Sequence, residues 1–363
     1  MAKPLAGLKV VEMASIGPGP FCCMMLADHG ADVVRLEKPG GRDTGTSRWD
    51  KDPLLRGRRL VEVDLKTPEG VEQARSLIAK ADVVVEGYRP GVMERLGLGP
   101  EECMAHNAAL VFARITGWGQ EGPLAPRAGH DINYIALTGA LAATGTQDSG
   151  PVPPLNLVGD FGGGGMMAAF GIVSAVLQAK LTGKGSVMDA AMLDGAALLM
   201  TMPFGLKAQG LWPAGRGSNL LDGGAPFYGT YRTADDQWVA IGAIEEPFWQ
   251  ILRERLALDQ PVLEHRWDRT YWPQIRGLIE DAIGAEPLAH WEAVFDGCDA
   301  CFAPVLSMGE VTDHPHNEER KVFQDADGVL QPAPAPRFDG DMPQVPLTNM
   351  KPVDFEKVLK GWD

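Results

Sequence analysis

The chain has 363 residues and a net charge of −15 at pH 7. That length suits two domains, or one large α/β body with an insert, and it allows a substantial core. The negative charge argues against general nucleic-acid binding, because a polyanion would be repelled. Residues 1–100 hold 15 basic and 14 acidic residues, whereas the remainder holds 18 and 34. A small anionic ligand would therefore be better received by the N-terminal third.

The five cysteines form an odd and sparse set that gives no disulfide framework, which indicates a reducing compartment. The N-terminal MAKPLAGLKVVEM has no basic region followed by an apolar run, and the C-terminal GWD is no peroxisomal signal. We therefore expect a cytoplasmic protein. The longest mostly apolar stretch, Met166–Ala179, has 14 residues. A membrane span needs roughly 20, so we expect a buried helix and no membrane span.

Short apolar runs typical of buried strands recur through the first 115 residues. They lie at Lys9–Met13, Val33–Glu37, Leu60–Leu65, Val83–Glu86 and Leu110–Ile115. A helical stretch follows the first run and ends at Gly30. Thr67, Pro68 and Glu69 supply the N-cap, first-position proline and first-turn acid of a helix that extends to about Lys80. Strands that alternate with helices predict a parallel, doubly wound sheet.

The middle of the chain changes character. The pattern predicts a helix over His130–Thr144, a proline-rich break at Gly150–Pro154 and a glycine-started apolar helix over Gly159–Lys180. Glycines in such positions indicate that the backbone comes close to another part of the molecule.

From Gly224 the pattern predicts a smaller α+β domain. PFYGTYRT and WVAIGAI flank ADDQ, which is typical of a β-hairpin turn. Amphipathic helices are expected around Pro247–Leu256 and Tyr271–Ile283, and a returning strand at Cys301–Val305. The proline-rich tail from Gln331 to Pro346 predicts an extended segment.

A possible dinucleotide-binding turn follows the first strand. Gly17-Pro18-Gly19-Pro20 opens a helix, and Glu37 ends the next strand about twenty residues on. The third glycine position of the fingerprint falls on Cys22, and the two prolines have no N–H to offer a pyrophosphate. NAD binding is therefore a minority interpretation, although the same crevice leaves room for another adenine nucleotide.

Other sequence motifs favour structural roles over metal or phosphate chemistry. The C-x-x-C pair Cys298 and Cys301 has no second pair to complete a zinc site, and we expect it to pack beside a strand. The His314-Pro315-His316 sequence favours a surface loop, because proline prevents the spacing that aims two imidazoles together. Gly162–Gly165 lacks the ending of a P-loop. We expect no metal.

Three segments together resemble the α-methylacyl-CoA racemases, within the wider group of family III CoA-transferases. They are AGHDINY at Ala128–Tyr134, PLNLVGDFGGG at Pro154–Gly164 and AIGAIEEPFW at Ala240–Trp249. Supporting matches such as GLKVVEMASIGPGPF, EGYRPGVMERLGLG and DGGAPFYGTY extend the similarity over nearly the whole chain, more loosely after Ala257.

The resemblance implies an α/β fold with a Rossmann-like doubly wound parallel sheet in a large domain, plus a smaller α+β domain, in an interlocked homodimer. With the patterns above, it predicts a large CoA-binding domain over residues 1–200, a linker over 201–223, a small domain over 224–310 and a return to the large domain over 311–363. The active site would lie between the large domain of one subunit and the small domain of its partner.

The activity implied is racemisation at C2 of 2-methyl-branched acyl-CoA thioesters, an isomerase reaction in fatty-acid or sterol side-chain degradation. Inverting such a centre needs two acid/base groups that flank a planar enolate, one of them protonated at the start. The resemblance assigns these roles to His130 and Asp160. Glu245 would hold the imidazole and Asn156 would bind the Asp160 carboxyl group, while the backbone N–H of Asp131 would meet the enolate oxygen.

For CoA, which is part of the substrate, phosphates call for basic side chains and main-chain donors. The positions that the resemblance places near the nucleotide or the crevice are Ile16, Lys38, Lys66, Arg89 and Arg95. Tyr228 and Met192 would line the acyl pocket. We expect no further cofactor.

Two alternatives to racemisation stay open. A family III CoA-transferase would use Asp160 as a covalent nucleophile. A CoA-binding regulatory or scaffold protein would bind CoA and catalyse neither reaction. His130 in AGHD favours the racemase over the transferase.

Overall fold

The computed structural model describes residues 3–41, 51–212, 215–341, 343–346 and 351–362. The chain divides into two compact units. The first consists of Met1–Thr138, Leu155–Met200 and His316–Asp363, and the second of Gly139–Pro154 and Thr201–Pro315.

A six-stranded, fully parallel sheet forms the centre of the first unit, in the order β3-β2-β1-β4-β5-β6. Its strands are β1 (Lys9–Met13), β2 (Asp32–Glu37), β3 (Arg58–Glu62), β4 (Val83–Glu86), β5 (Val111–Thr116) and β6 (Ser186–Ala191). β1, β4 and β5 are buried on both faces along nearly their whole length and most of their side chains are apolar, as a covered parallel sheet requires. The predicted parallel sheet is confirmed, and β6 is an addition that sequence patterning missed.

The first unit also contains helices. They are α1 (Pro18–Asp28), α2 (Pro68–Ile78), α3 (Val92–Arg95), α4 (Pro100–His106), α5 (Asp131–Ala136), α7 (Met167–Thr182), α8 (Met192–Leu199), α13 (Pro315–Arg320) and α14 (Phe355–Lys360), while α6 (Ala140–Ala143) lies in the second unit. Of these helices, α1 and α7 pack directly on the sheet. The side chain of Thr67 accepts a hydrogen bond from the Gly70 amide (3.1 Å), so the predicted cap of α2 is present.

Two predicted helices have different boundaries in the structure. The helix expected over His130–Thr144 is wrong as a single element, because Gly139 takes a positive φ (86°) and separates α5 from α6. The apolar helix begins earlier than predicted, as a π-helix over Leu157–Met166 that continues into α7. Gly163 lies so close to α8 that an added Cβ would stand 2.6 Å from the amide nitrogen of Ala196. The glycines thus allow close backbone packing, as expected.

The continuous helical stretch Leu157–Thr182 has 26 residues and contains an 18-residue window with a mean hydropathy of 1.4, which is enough to cross a membrane by length and composition alone. It exceeds the 14 residues counted from sequence. One face of α7 packs on the sheet through the buried Ala168, Ile172 and Ala179. The sheet accounts for the apolar residues on this face only, since 39% of the apolar window is buried, so the expectation of a buried helix holds in part.

A buried charge network fixes the turn between β1 and α1. Arg35 donates to Glu12 (2.6 Å) and to the Ser15 carbonyl (3.2 Å), and Arg58 also pairs with Glu12 (3.1 Å). Arg58 further donates to the carbonyl of Pro20. These charges are paired and hydrogen-bonded, as buried ions must be, and they hold the turn in place.

The C-terminal residues belong to the first unit. β10 (Phe323–Ala326) and β11 (Val329–Pro332) form an antiparallel hairpin, which Arg56 binds through Gln331 (2.9 Å) and the Pro332 carbonyl (2.8 Å). The indole of Trp362 donates to Asp32 (2.7 Å).

The second unit contains a three-stranded antiparallel sheet. Its elements after α6 are α9 (Thr201–Ala208), β7 (Gly229–Arg232), β8 (Trp238–Ile241), α10 (Glu246–Arg255), α11 (Trp272–Gly284), α12 (Leu288–Phe295) and β9 (Phe302–Pro304). The predicted hairpin and returning strand are confirmed. Arg266 packs over the rings of Phe227 and Trp249 in the core of this unit.

Candidate active site

A cleft of about 600 Å³ opens at the carboxyl edge of the parallel sheet. Its walls include the segments at the carboxyl ends of β1, β4 and β5, namely Ser15–Gly19, Gly87–Pro90 and Ile115–Trp118. The strand order reverses between β1 and β4, and open α/β sheets bind ligands at such a switch point. The fold therefore places the cleft where a ligand is expected.

His130 lies at the N-cap of α5, on an exposed part of the cleft wall. Its backbone N–H donates to the Oδ1 of Asn133 (3.0 Å), and its carbonyl accepts from the Asn133 amide (2.8 Å). The hydroxyl of Tyr134 donates to the carbonyl of Gly129, directly before the histidine. The start of α5 therefore holds His130 by its backbone and leaves the imidazole at the cleft.

Asp160 is half-buried in the π-helix and lines the same cleft. The side chain of Asn156 donates to its Oδ2 (3.1 Å). Burial is the largest effect on this carboxyl group and raises its pKa above the ordinary value. The hydrogen bond from Asn156 and the nearby His130 oppose that rise, while the charge of Asp131 adds to it. A raised pKa favours the protonated form that a proton donor needs.

The turn at the start of α1 lies against Asp160. A Cβ added to Gly17 would stand 3.1 Å from the Oδ2 of Asp160. A pyrophosphate bound at this turn, as in a dinucleotide fold, would meet that carboxyl group. The position of Asp160 therefore argues against the NAD interpretation.

Six of the residues singled out in the sequence line the cleft together: Ile16, Arg89, His130, Asn156, Asp160 and Met192. Asp131 is buried beside them, and its carboxylate accepts a hydrogen bond from the Asp160 backbone N–H (2.7 Å).

The remaining predicted residues lie elsewhere. Lys38, Lys66 and Arg95 are exposed in the first unit, outside the lining of the cleft. Glu245 is the exposed N-cap of α10, and its carbonyl accepts a hydrogen bond from the Trp249 amide (3.0 Å). Both Glu245 and Tyr228 belong to the second unit.

Sequence reasoning missed several lining residues, among them Trp118, Arg127, Tyr134 and Phe161. Tyr134 ends the AGHDINY segment and Arg127 precedes it, so proximity to that motif was the available signal. Trp118 and Tyr134 pack edge to face with ring centroids 4.8 Å apart. The cleft thus combines aromatic walls with the cations Arg89 and Arg127, which suits a ligand with an anionic part and an apolar part.

A buried acid lies under the loop that carries Arg89. The Oε2 of Glu86 accepts from the Tyr88 amide (2.7 Å), and the Nε of Arg114 lies 3.8 Å from Oε1, too far for a hydrogen bond. Burial is the dominant effect and raises the pKa of Glu86 to about 7, although Tyr88 and Arg114 oppose it. Glu86 therefore anchors the loop and titrates near neutrality.

The described residues contain no cluster of three or more His, Cys, Asp or Glu side chains arranged to hold a metal ion. In the C-x-x-C pair, Cys298 is half-buried beside α12, where its Sγ donates to the Phe295 carbonyl (3.2 Å).

Comparison with known proteins shows the family of this chain and agrees with its fold. The profile of CoA-transferase family III matches residues 5–352. The chain belongs to that family. It is 45% identical to the human alpha-methylacyl-CoA racemase over 333 residues, 92% of this chain and 86% of the human one. The mouse alpha-methylacyl-CoA racemase is 44% identical over 96% of this chain and 90% of its own length. The crystal structure of a CAIB/BAIF family protein from Brucella suis superposes with a TM-score of 0.83 at 26% identity, covering 100% of both chains.

Proposed function

We propose that this protein is an isomerase that racemises 2-methyl-branched acyl-CoA thioesters at C2. The observation that carries this proposal is that His130 and Asp160 line one cleft, in a chain 45% identical to a racemase of that class. An imidazole and a carboxyl group with a raised pKa are a suitable pair, since one accepts a proton while the other donates one.

In the proposed reaction His130 removes the α-proton of one stereoisomer and Asp160 returns a proton to the opposite face of the planar enolate. The reverse direction exchanges the two roles. Asn156 supports the carboxyl group through its hydrogen bond to Oδ2. The backbone N–H of Asp131 is proposed to meet the enolate oxygen. The chemistry is pure proton transfer, so the proposal includes no redox cofactor and no metal.

The CoA moiety is proposed to bind at the switch-point edge, with Arg89 at the mouth of the cleft. Arg127 is a second cation there, and Lys38, Lys66 and Arg95 are proposed contacts for the outer phosphates. Ile16, 82% exposed, is proposed to contact the same part of the substrate.

For the acyl chain we propose a pocket that is lined by Met192 of one subunit and by Tyr228 of the partner subunit. The flexible thioether tolerates branched and bulky chains. Degradation of branched fatty acids or sterol side chains in the cytoplasm is the proposed setting.

We further propose an interlocked homodimer with a smaller α+β domain, in which Glu245 of one subunit holds the imidazole of His130 in the other. The outer face of α7, continued by the last residue of the π-helix, supports the dimer, because its exposed large side chains form a row at helical spacing. They are Met166, Phe170, Val173, Leu177 and Leu181, from 43% to 77% exposed. Contiguous apolar surface of this kind marks an interaction face.

The test uses one stereoisomer of a 2-methylacyl-CoA in deuterated water, with no second substrate. We expect deuterium at C2 and loss of stereochemical purity. His130→Ala and Asp160→Ala should each abolish epimerisation, while deuterium exchange from one face survives where the remaining base faces the proton. Full turnover of both stereoisomers in either variant would contradict the two-base assignment.

CoA transfer is the second candidate function, because the chain matches the profile of CoA-transferase family III. A transferase would show no epimerisation alone, would move CoA onto an added carboxylate and would form an acyl-enzyme at Asp160. A regulatory CoA-binding protein would bind CoA and show neither reaction. The same incubation, repeated with an added carboxylate, separates the three.

A further inference from the structure

The carboxylate of Asp131 joins the two proposed proton carriers. Asp131 directly follows His130 in the chain, and its Oδ2 accepts a hydrogen bond from the backbone N–H of Asp160 (2.7 Å). Its side chain is buried, and the residue is 6% exposed. The backbone of His130 is therefore linked to that of Asp160 through one peptide bond, the side chain of Asp131 and one hydrogen bond.

Resting on the proposed racemisation, we propose that the side chain of Asp131 is a positioning residue, which sets the distance between His130 and Asp160 across the substrate. This role is separate from that of its backbone N–H, which any substitution except proline retains. Two proton carriers must flank one carbon, so a small change in their spacing weakens one transfer. Misplacement by about 1 Å can reduce turnover roughly 100-fold.

The packing around Asp131 supports a role in positioning. A Cβ added to Gly159 would stand 2.6 Å from Oδ2 and 2.8 Å from Cγ of Asp131. Contacts that short do not occur, so any side chain at position 159 would displace the carboxylate. The glycine before Asp160 thus makes room for this hydrogen bond.

The electrostatics point the same way. Among the described residues, the Oδ1 of Asp131 is buried and makes no hydrogen bond. A buried carboxylate with so few partners is costly, which indicates that its position serves function more than stability. The groups that act on Asp160 are Asn156, Asp131 and His130, and Asp131 raises the pKa of its carboxyl group. Asp131 therefore keeps Asp160 in place and favours its protonated form.

The experiment compares Asp131→Ala, which removes the acceptor, with Asp131→Asn, which retains an acceptor oxygen without the charge. We expect Asp131→Ala to lower kcat for epimerisation about 100-fold, with KM for the acyl-CoA changed by less than about twofold, because Arg89 and Arg127 are untouched. Asp131→Asn should recover at least about a tenth of wild-type kcat. Its pH profile should shift to lower pH on the limb that reports Asp160, since a negative charge is lost.

Asp354→Ala is the matched control, because Asp354 also accepts one backbone N–H, that of Lys357 (2.9 Å), at the start of α14. It should cost stability and leave kcat unchanged. Gly159→Ala is a second way to test the positioning role, since it displaces the Asp131 carboxylate without removing it. We expect the kcat loss of Asp131→Ala, and a double variant no worse than either single one.

Wild-type turnover in Asp131→Ala, or an Asn variant as impaired as the Ala variant, would overturn the positioning role. If Asp131→Ala fails to fold, the Asn and Gly159→Ala variants decide by the same criteria. A wild-type protein that does not epimerise would instead overturn the proposed function itself.

Discussion

Two carboxyl groups near the cleft show how surroundings decide the chemistry of a residue. Asp160 and Glu86 are both held above their ordinary pKa by burial, and each accepts one hydrogen bond that partly offsets the burial. Asp160 opens onto the cleft, whereas Glu86 is 3% exposed and supports the loop that follows β4. Exposure to the cleft suits the first to the proton exchange proposed for it, whereas burial under the loop leaves the second to link loop structure to pH.

Glu86 should make the stability of the protein fall as pH rises. Its pKa is about 7 in the fold against 4.5 ordinarily, so the folded state binds more protons between those values. Its contribution is fully present below pH 4.5 and is lost as pH rises through about 7, by up to about 3 kcal/mol. Glu86→Gln mimics the protonated form. We expect its free energy of unfolding to match wild type at pH 4 and to exceed it by about 3 kcal/mol at pH 8 in urea titrations.

Glu94→Gln is the contrasting control for this prediction. Glu94 is exposed, and burial, although the largest single effect on its pKa, is outweighed by the hydrogen bond and charge of Arg114 together with other favourable contacts, which hold the pKa below the ordinary value. Its contribution is present at high pH and lost as pH falls, so the variant should be less stable than wild type at pH 8. A Glu86→Gln variant that follows wild type at both pH values would show that Glu86 does not govern this dependence.

At the scale of elements, the sequence predicted those strands and helix ends that depend on neighbouring residues alone. The first five strands are apolar runs, the cap of α2 is a Thr-Pro-Glu sequence, and each lies where predicted to within a few residues. β6 was missed because Ser186 and Asp189 interrupt its apolar pattern. The π-helix was also missed, because its geometry depends on packing between segments distant in sequence.

The candidate site was less predictable from the residues alone. The cleft unites Ser15–Gly19, Gly87–Pro90 and Ala128–His130, which the sheet topology brings together from distant parts of the chain. The residue types at His130 and Asp160 are ordinary in isolation, and the family resemblance was needed to pair them. Arg127 belongs to no motif, and only its position directly before the AGHDINY segment pointed to it. The role of the Asp131 side chain required the observed hydrogen bond to Asp160.

Packing of the π-helix against α8 leads to a stability prediction. In Gly163→Ala the new Cβ would stand 2.6 Å from the Ala196 nitrogen, a backbone atom that cannot move freely. We expect a loss of about 1–3 kcal/mol in the free energy of unfolding, as for an overpacked core. Gly277→Ala is the matched control, since nothing lies within 4 Å of its added Cβ inside α11. It should stabilise the protein by up to about 1 kcal/mol, and a Gly163→Ala variant of equal stability would contradict the close packing.

On the scale of the whole molecule, the proposed roles are divided between the two units. His130, Asp160 and Arg89 belong to the first unit, and Glu245 and Tyr228 to the second. The proposed interlocked dimer assigns the second set to the partner subunit. That proposal differs from a site completed within one chain in a way that activity measurements can detect.

Complementation between two inactive variants separates these arrangements. We expect His130→Ala and Glu245→Ala homodimers to be inactive or nearly so. Co-expressed with different affinity tags, they should form heterodimers in which one site combines the intact His130 of one subunit with the intact Glu245 of the other. If each site draws on both subunits, the purified heterodimer should have about half of wild-type activity, because one of two sites is restored. If each site lies within one chain, every site carries one of the substitutions and the heterodimer stays inactive.

A particle of about twice the 39.0 kDa chain mass in light scattering is required for the first outcome. An active monomer would contradict the shared site, because His130 and Glu245 would then act within a single chain.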